Sequence, residues 1–464
     1  MAIVGALSLS APALRARVAA GSARVGPLEL VVALGAALAA VVGTIGADAR
    51  WLPALGKIIL SRGEIPDNIP YAAAPSAGWH NVPVLAELLL HGLTSAAGDR
   101  GLLLAQVVAV AAALGILAWD LRRSGADDLG GALVLLVVVV GALPVLVIVR
   151  SQLFSLLLFP LLVALLRAEA RSPSRRIWLL PPLIALWSNL HGAVLVGLAV
   201  SAAYLVFERG RRGQPFVAAT VLVASAFAVC ATPALWHTPD YYLGVLHNDA
   251  ARRGVGLWAP LSLTSGFDLL LLAAAITLLA LVLRARPALW EIVVLAALAV
   301  LTVRTARSGA WLLFFAAAPA SRGLRLRPGR PSQLAAPALA IAAAVVALGL
   351  ARGPVSTGAG RALLSDALHH AGGTPILADG VPAEQVALAG GRVWMSNPLD
   401  AFDLRDQRLY LDWLAGKPGG DAALRHARVV LVIRSGHPAK RLRRMRAFRE
   451  AGHDSNAILY IKRH

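Results

Sequence analysis

Apolar stretches of close to twenty residues recur along most of the chain, and short polar segments separate them. An α-helix rises about 1.5 Å per residue, so about twenty apolar residues cross the ~30 Å hydrocarbon core of a bilayer. The stretches are continuous runs of Ala, Leu and Val, whereas a membrane β-barrel needs alternating strands of about ten residues. We therefore predict a polytopic α-helical membrane protein with about eleven transmembrane helices. They are expected at 28–46, 101–119, 129–149, 151–166, 177–190, 192–207, 215–232, 267–284, 287–303, 308–320 and 334–351.

Two parts of the chain depart from this pattern. Residues 47–100 are too polar to span a membrane, but WLPALGKIILSRG and VPVLAELLLHGL are amphipathic and predict helices at the membrane interface. In the C-terminal part, TPILAD, RVVLVIR, RVWMSN and AILYIKR predict strands. Between them, PAEQVALAGG, LRDQRLYLDWLAG and AKRLRRMRAFREAG predict helices. This alternation predicts a small α/β domain over 353–464 with a largely parallel sheet.

Charge sets the expected orientation. The chain is 58% hydrophobic and 15% charged with a net charge of +19, and much of its Lys and Arg lies in short clusters between apolar stretches. The clusters are Arg122–Arg123, Arg171–Arg176, Arg209–Arg212, Arg284–Arg286 and Arg322–Arg330. All of them fall on the cytoplasmic side of a cytoplasmic membrane if residues 1–27 form a cytoplasmic N-terminal segment. The transmembrane domain then covers 28–352, and both the loop 47–100 and the C-terminal domain are extracytoplasmic. Positive charge of this kind needs no nucleic acid as a partner.

The first candidate functional residue is Asp48, at the outer end of the first predicted helix in GADARW. Ionisable residues at membrane depth are costly and often functional, whereas those at helix ends often reach to the interface. Asp48 is therefore either a general base or metal ligand, or an interfacial carboxylate paired with Arg50. A divalent cation such as Mg²⁺ or Mn²⁺ is one candidate cofactor, and the sequence leaves the metal unknown.

Further polar residues gather on the same predicted side. Asn189 and His191 in LWSNLHG form either part of a cavity or a hydrogen-bonded turn between helices. The lone arginines suit a lipid phosphate, because a guanidinium group offers fixed paired donors, but they equally suit contacts with lipid headgroups. These arginines are Arg150, Arg304 and Arg307.

The predicted outer loop at 233–266 contains His237 and Asp240 together with aromatic residues. Aromatic rings stack on sugars, but they also populate the interfacial belts of membrane proteins. The spacing of His237, Asp240 and His247 matches no recognisable metal site. The C-terminal domain contains neither a GxGxxG nor a Walker sequence, so no nucleotide is expected.

The stretches RSQLFSLLLFPLL and LWSNLHGAVLVGL, together with an acidic residue after the first helix, resemble the GT-C glycosyltransferase superfamily. The likeness is to bacterial relatives of the dolichyl-phosphate-mannose protein mannosyltransferases, covers roughly residues 28–320 and is most specific at W-x-N-L-H-G. It implies transfer of a hexose from a polyprenyl phosphate to an extracytoplasmic glycan, lipid or protein acceptor. Asp48 matches the position of the catalytic carboxylate, Arg150, Arg304 and Arg307 would lie near the donor phosphate, and Asn189, His191, Glu87, His237 and Asp240 would line the cavity.

The chain also departs from that superfamily. Pro83 and Val84 stand where relatives commonly have Glu and Trp, although Glu87 is close by, and Leu257 precedes Trp258 where an acidic residue is common. These differences leave a second interpretation open, a non-catalytic GT-C-like protein that binds lipid-linked glycan or scaffolds an envelope complex. A transporter fits less well, because no inverted repeat is evident.

Overall fold

The computed structural model describes residues 26–324, 326 and 335–463. Nearly all of the predicted N-terminal segment 1–27, and most of the basic stretch up to Arg330, lie outside these residues. The N-terminal elements are α1 Pro27–Val42, β1 Thr44–Ile45, α2 Trp51–Arg62, α3 Val84–Ala97, α4 Asp99–Arg123, α5 Asp128–Gly141, α6 Leu143–Val147, β2 Ile148–Val149 and α7 Leu153–Arg171. The following helices are α8 Leu180–Ser188, α9 Val194–Tyr204, α10 Pro215–Ala228, α11 Thr238–His247, α12 Asp249–Arg253, α13 Gly266–Arg284, α14 Leu289–Arg304, α15 Gly309–Gly323 and α16 Ala335–Arg352.

Each predicted transmembrane stretch overlaps at least one of these helices. Four of the described helices, α4, α7, α13 and α16, are long and apolar enough to cross a membrane by their length and composition. Helices α1, α5 and α10 are shorter but also apolar. The prediction of a helical membrane protein therefore agrees with the fold, and the two amphipathic stretches of the loop 47–100 form α2 and α3.

Local sequence accounts for several helix ends. Pro27 and Pro215 occupy the first turns of α1 and α10, where no backbone N–H is needed for the helix. The Asp127 carboxylate caps α5 by accepting the backbone N–H of Gly130 at 2.7 Å. Helix α2 ends at Gly63, whose φ of 73° is readily adopted only by glycine.

One end of the bundle carries residues from the predicted cytoplasmic clusters. Arg122 at the end of α4 contacts Glu29 at the start of α1 and Asp128 at the start of α5, at 2.6 and 3.0 Å. Nearby, the buried Arg167 contacts Asp120 at 2.6 Å. These contacts bring together the helix ends that the charge pattern assigns to one side.

Further ion pairs belong to this end. Arg322 at the end of α15 contacts Glu291 at the start of α14, and Arg209 contacts Glu169, both at 2.6 Å. Since α1 starts here and runs away from this end, Asp48 lies at the opposite end of the bundle.

At that opposite end, a short parallel strand pair joins two distant parts of the chain. Thr44 and Ile45 of β1 pair with Ile148 and Val149 of β2. The Gly46 N–H continues the pairing by donating to the Val149 carbonyl at 3.0 Å. A Cβ on Gly46 would lie 2.7 Å from Ile148 and 3.0 Å from Nε of Arg150. This close approach sets Arg150 beside the segment that leads to Asp48.

Helices α2 and α3 pack closely through a glycine. A Cβ on Gly56 would lie only 2.2 Å from the Glu87 backbone carbonyl oxygen, whereas a Cβ on Gly92 in α3 would meet nothing within 4 Å. The two glycines therefore form a matched pair of positions with opposite steric demands.

We expect Gly56→Ala to destabilise the protein by about 1–3 kcal/mol, because the two helix backbones must separate to admit the methyl group. Gly92→Ala should be neutral or stabilising by up to ~1 kcal/mol, since alanine favours a helix more than glycine does. Thermal unfolding of the two variants in the same detergent measures the difference. Equal unfolding temperatures would contradict the close approach of α2 and α3.

The C-terminal segment contains α17 Arg361–Ala371, β3 Ile376–Ala378, α18 Gly380–Leu388, α19 Leu404–Leu414, β4 Val429–Ile433, α20 His437–Leu442, β5 Phe448–His453 and β6 Ala457–Lys462. The strand order is β3-β4-β6-β5. Only β3 and β4 are parallel, and β6 is antiparallel to both β4 and β5. The expectation of a largely parallel sheet was wrong.

The cause is a hairpin in the stretch that was expected to continue as a helix. Helix α20 covers only the first part of AKRLRRMRAFREAG, and FREAGH forms β5. The Asp454 carboxylate accepts the backbone N–H groups of Asn456 and Ala457, at 2.8 and 2.7 Å. This turn folds β5 back onto β6, as short Asp side chains do in tight turns. In RVWMSN, Val393 makes only isolated bridges, to Ile376 and Ala72.

Candidate functional site

The turn that carries Asp48 has an unusual backbone. Asp48 has a φ of 80°, in the left-handed region that few non-glycine residues adopt. Its backbone N–H donates to Oε1 of Glu384 at 2.7 Å, and the Arg50 N–H donates to Oε2 of the same carboxylate at 3.0 Å. The Arg50 side chain contacts Asp99 at 2.8 Å. Arg50 therefore pairs with Asp99 and not with the Asp48 carboxylate.

Glu384 belongs to α18 of the C-terminal segment and is completely buried. Asn397 also donates to its Oε1, from Nδ2 at 2.8 Å. Burial, together with the negative charge of Asp48, raises the pKa of Glu384 to about 7. Burial likewise raises the pKa of Asp48, while the positive charges of Arg150 and Arg307 oppose the rise. The two carboxyl groups thus form an interacting pair beside two arginines.

Arg150 and Arg307 reach this place from separate elements. Arg150 directly follows β2, and Arg307 lies in the short turn between α14 and α15. The Arg307 guanidinium carbon lies 4.4 Å from the centroid of the Trp258 ring. Among the described residues, the buried Nε of Arg150 has no hydrogen-bond partner. Burial lowers the pKa of Arg307, Asp48 opposes this, and Arg150 adds to it.

The two arginines line one cavity of about 160 Å³. Gln152 and Asp268 are the other side chains of the lining that can hydrogen-bond. The rest of the lining is apolar or backbone, from Gly141, Ala142, Pro144, Val145, Ile148, Phe267, Leu271, Ala306 and Ala310. A cavity with two guanidinium groups and an apolar wall suits an anionic group attached to a hydrocarbon chain.

His191 lies in the turn between α8 and α9. Its Nδ1 accepts the Ala193 backbone N–H at 3.2 Å and lies 2.8 Å from Oγ of Ser155. The Ser155 hydroxyl in turn accepts the Trp187 Nε1–H at 2.7 Å. This network assigns the proton of the neutral ring to Nε2. Burial and the positive charge of Arg307 lower the pKa of His191 to about 3, so the ring is a neutral hydrogen-bond donor.

Asn189 holds the same turn together. Its Nδ2 donates to the carbonyls of Ala185 and Ala231, at 2.8 and 2.6 Å. The Asn189 carbonyl accepts the Ala86 N–H at 3.3 Å and so connects the turn to α3. The amide nitrogen of Asn189 therefore serves the hydrogen-bonded turn that was one of its two predicted roles.

The remaining predicted residues have other partners or are exposed. Glu87 is completely buried, and its Oε2 accepts from Nδ2 of Asn81 at 2.9 Å. His237 and Asp240 are exposed and pair with each other at 3.4 Å, and the His237 ring stacks on His80 at 4.2 Å between centroids. Arg304 is exposed at the end of α14. In the described part of the chain, the structure brings together Asp48, Arg150, Arg307 and His191 from the predicted set.

Sequence reasoning missed the acidic residues of the C-terminal segment. Besides Glu384, the Asp400 carboxylate accepts the Trp79 Nε1–H at 3.0 Å, and burial raises the pKa of Asp400 to about 6. Trp79 makes an edge-to-face contact with Tyr241, at 6.3 Å between centroids. The aromatic residues of the outer loop 233–266 were a partial indication of this region. PAEQVALAGG and NPLDAF, which contain Glu384 and Asp400, include nothing in their sequence that points to Asp48.

Two of the carboxylates gathered here already accept N–H donors. Both oxygens of Glu384 accept N–H donors, and Asp400 accepts the Trp79 N–H. Over the described ranges, no three His, Cys, Asp or Glu side chains lie together as metal ligands. No step proposed below depends on a metal ion.

Among solved structures, the chain is similar to arabinofuranosyltransferase AftD from Mycobacteria, determined by single-particle cryo-electron microscopy. The TM-score is 0.43 and the sequence identity 16%, over 94% of this chain and 40% of that chain. This protein thus spans about two fifths of the AftD chain. No protein-family model and no curated protein sequence matches. With a TM-score this low, function has to be argued from the side chains of this protein.

Proposed function

We propose that this protein is a membrane glycosyltransferase that moves a hexose from a polyprenyl-phosphate donor to an acceptor outside the cytoplasmic membrane. The supporting observation is the arrangement of Asp48 within electrostatic reach of Arg150 and Arg307, two arginines that line one largely apolar cavity. A carboxylate suits the acceptor hydroxyl, guanidinium groups suit a phosphate, and an apolar wall suits a polyprenyl chain. These are the three chemical features that such a transfer requires.

Arg150 and Arg307 would hold the donor phosphate. Burial lowers the pKa of Arg307, and the positive charge of Arg150 adds to that effect. A phosphate bound between the two guanidinium groups would relieve their mutual repulsion. When the bond between the sugar and the phosphate breaks, the leaving phosphate gains negative charge. The same guanidinium groups would stabilise that charge in the transition state. Arg304, exposed one turn earlier, remains a prediction for the approach of the donor.

Asp48 would act as the general base. The acceptor hydroxyl gives its proton to the Asp48 carboxylate as the acceptor oxygen bonds to the anomeric carbon. The bond from that carbon to the phosphate oxygen breaks, and its electron pair stays on the polyprenyl phosphate. A single displacement of this kind inverts the anomeric centre. The neutral His191, with its proton on Nε2, would donate a hydrogen bond to the donor.

The orientation follows from the two ends of the bundle. Arg122, Arg167, Arg209 and Arg322 lie at the end opposite Asp48, and the positive-inside tendency would make that end cytoplasmic. Asp48, its cavity and the C-terminal segment would then face outward. The partners would be membrane lipid, a polyprenyl-linked sugar and an extracytoplasmic glycan, lipid or protein.

Transfer from a radiolabelled polyprenyl-phosphate sugar in membranes that contain the protein tests the proposal. Transfer by the unmutated protein supports it. Saturable binding of the donor without transfer would favour the second interpretation, a non-catalytic protein that holds a lipid-linked glycan.

We expect Arg307→Gln to move the acid limb of the kcat/KM profile to higher pH. A base works only when deprotonated, and the positive charge of Arg307 lowers the pKa of Asp48. Its removal therefore raises that pKa, so activity is lost at a higher pH as the solution is acidified. Because Glu384 titrates together with Asp48, the apparent pKa of the acid limb describes the pair of carboxyl groups. The measurement compares pH profiles of kcat/KM for the unmutated protein, Arg307→Gln and the exposed control Arg62→Gln. A shift of the acid limb to lower pH in Arg307→Gln would contradict the role of Asp48.

A further inference from the structure

One carboxylate of the C-terminal segment fastens the turn that carries Asp48. Glu384 lies 336 residues from Asp48, and its two oxygens take the N–H groups of Asp48 and Arg50 separately. The side chain is completely buried, and Asn397 fixes its rotation by donating to Oε1. Over the described residues, no other hydrogen bond joins the C-terminal segment to the backbone of Asp48.

The turn needs such support. A non-glycine residue in the left-handed region costs about 1 kcal/mol or more and persists only where its surroundings hold it. Asp48 has a φ of 80°, and Arg50, two positions later, is the N-cap residue of α2. The Arg50 side chain is bound to Asp99 at the start of α4. The carboxylate of Glu384 therefore holds both backbone donors that determine where the Asp48 side chain points.

The surrounding contacts show that the C-terminal segment is docked on the outer loop at several points. The backbone of Ala73 and Ala74 donates to the Trp394 carbonyl, at 3.2 and 2.9 Å. The Tyr71 hydroxyl donates to the Asn397 carbonyl at 2.9 Å. With α18 fixed in this way, the position of Glu384 does not depend on its contact with Asp48 alone.

We propose that Glu384 is a positioning residue for sugar transfer, which makes the C-terminal segment part of the active site. Glu384 touches no substrate and acts through the backbone of Asp48. The inference rests on the proposed function, because it assigns Glu384 to the reaction in which Asp48 is the base. It also predicts a structural effect on the turn that can be measured without any activity.

The test is Glu384→Gln, which keeps the size of the side chain but replaces one acceptor oxygen by an NH₂ group. One of the two backbone N–H groups then faces a donor and loses its bond. We expect amide hydrogen exchange in a peptide covering Asp48 and Arg50 to become about tenfold faster, the effect of losing one hydrogen bond. We expect kcat to fall about tenfold with the KM for the donor unchanged, since Arg150 and Arg307 are untouched.

The matched control is Gln407→Ala, which removes a docking contact of the C-terminal segment at another place. Gln407 is also a buried residue of the C-terminal segment that accepts a backbone N–H from the N-terminal part, from Asp249 at 2.8 Å, but it does not contact the Asp48 turn. It should leave both exchange at Asp48 and kcat unchanged. The double variant Glu384→Gln/Asp48→Asn should be no slower than Asp48→Asn alone, because Glu384 acts through Asp48.

The outcomes separate the two proposals. Unchanged exchange around Asp48 in Glu384→Gln, or faster exchange with unchanged kcat, overturns the positioning role while transfer by the unmutated protein stands. An equal loss of kcat in Gln407→Ala assigns the effect to docking in general and also overturns it. Faster exchange in a protein that shows no transfer with any donor overturns the proposed function, while the contact of Glu384 stands.

If Glu384→Gln does not fold, Asn397→Ala, which removes the donor that orients Glu384, is expected to change both measurements in the same direction.

Discussion

Asp48→Asn should lower the rate of sugar transfer by about 10²–10⁴-fold, the usual contribution of a positioned general base. Asparagine is nearly isosteric with aspartate, tolerates a positive φ better than most residues, and keeps the backbone N–H that Glu384 accepts. Folding and donor binding should therefore be retained, since the donor phosphate is assigned to the arginines. The rate is measured with a radiolabelled polyprenyl-phosphate sugar in membranes that contain matched amounts of protein.

Asp67→Asn is the control for this experiment. Asp67 is an exposed carboxylate of the same outer segment, and its removal should leave transfer unchanged. If Asp48 were only an interfacial carboxylate, Asp48→Asn would change stability by about 0–1 kcal/mol and leave transfer intact. Equal transfer by Asp48→Asn and the unmutated protein would therefore remove Asp48 from the mechanism.

Arg150→Gln and Arg307→Gln should each weaken binding of the donor by about 10–100-fold. Each substitution removes a charge-assisted hydrogen bond to the phosphate, worth about 1.5–3 kcal/mol, and 1.4 kcal/mol corresponds to tenfold in affinity. Because the phosphate is bound in both the ground state and the transition state, KM should rise and kcat/KM should fall. Binding of a polyprenyl phosphate without sugar isolates this contribution from the chemical step.

Two further arginines make this experiment more specific. Arg62→Gln at the exposed end of α2 is the control for loss of positive charge, and it should bind the polyprenyl phosphate normally. Arg304→Gln tests the third arginine that the sequence pattern predicts. A loss as large as that of Arg307→Gln would assign Arg304 to the phosphate site, and normal binding would assign it to solvent. Normal binding by both Arg150→Gln and Arg307→Gln would contradict a phosphate in their cavity.

The residues that the sequence could identify share one property. Asp48, Arg150, His191 and Arg307 each lie at the edge of an apolar stretch, where a charged or polar side chain stands out from its neighbours. The order of helices then carries such residues to one of two ends of the bundle. Arg304 satisfied the same criterion but is exposed, because an end of a bundle contains both a site and a surface. His237 and Asp240, predicted from the outer loop, are exposed as well.

The sequence by itself determined the helical character of the chain, the ends of its apolar stretches and three strands of the C-terminal segment, β3, β4 and β6. These features depend on hydrophobic spacing and on the residues within a turn or two, which are local. The Asp454 turn shows the limit of local reading, since the same basic stretch suited a helix until pairing with β6 favoured a strand.

Only the tertiary structure brought Glu384 to Asp48. PAEQVALAGG is an equally good helix whether Glu384 faces water or accepts two backbone N–H groups 334 and 336 residues away. The parallel pair β1–β2, which sets Arg150 beside Gly46, likewise joins two strands of only two residues. Such contacts depend on how separate elements dock, and docking is decided by the summed packing and hydrogen bonding of the whole molecule rather than by any short stretch of sequence.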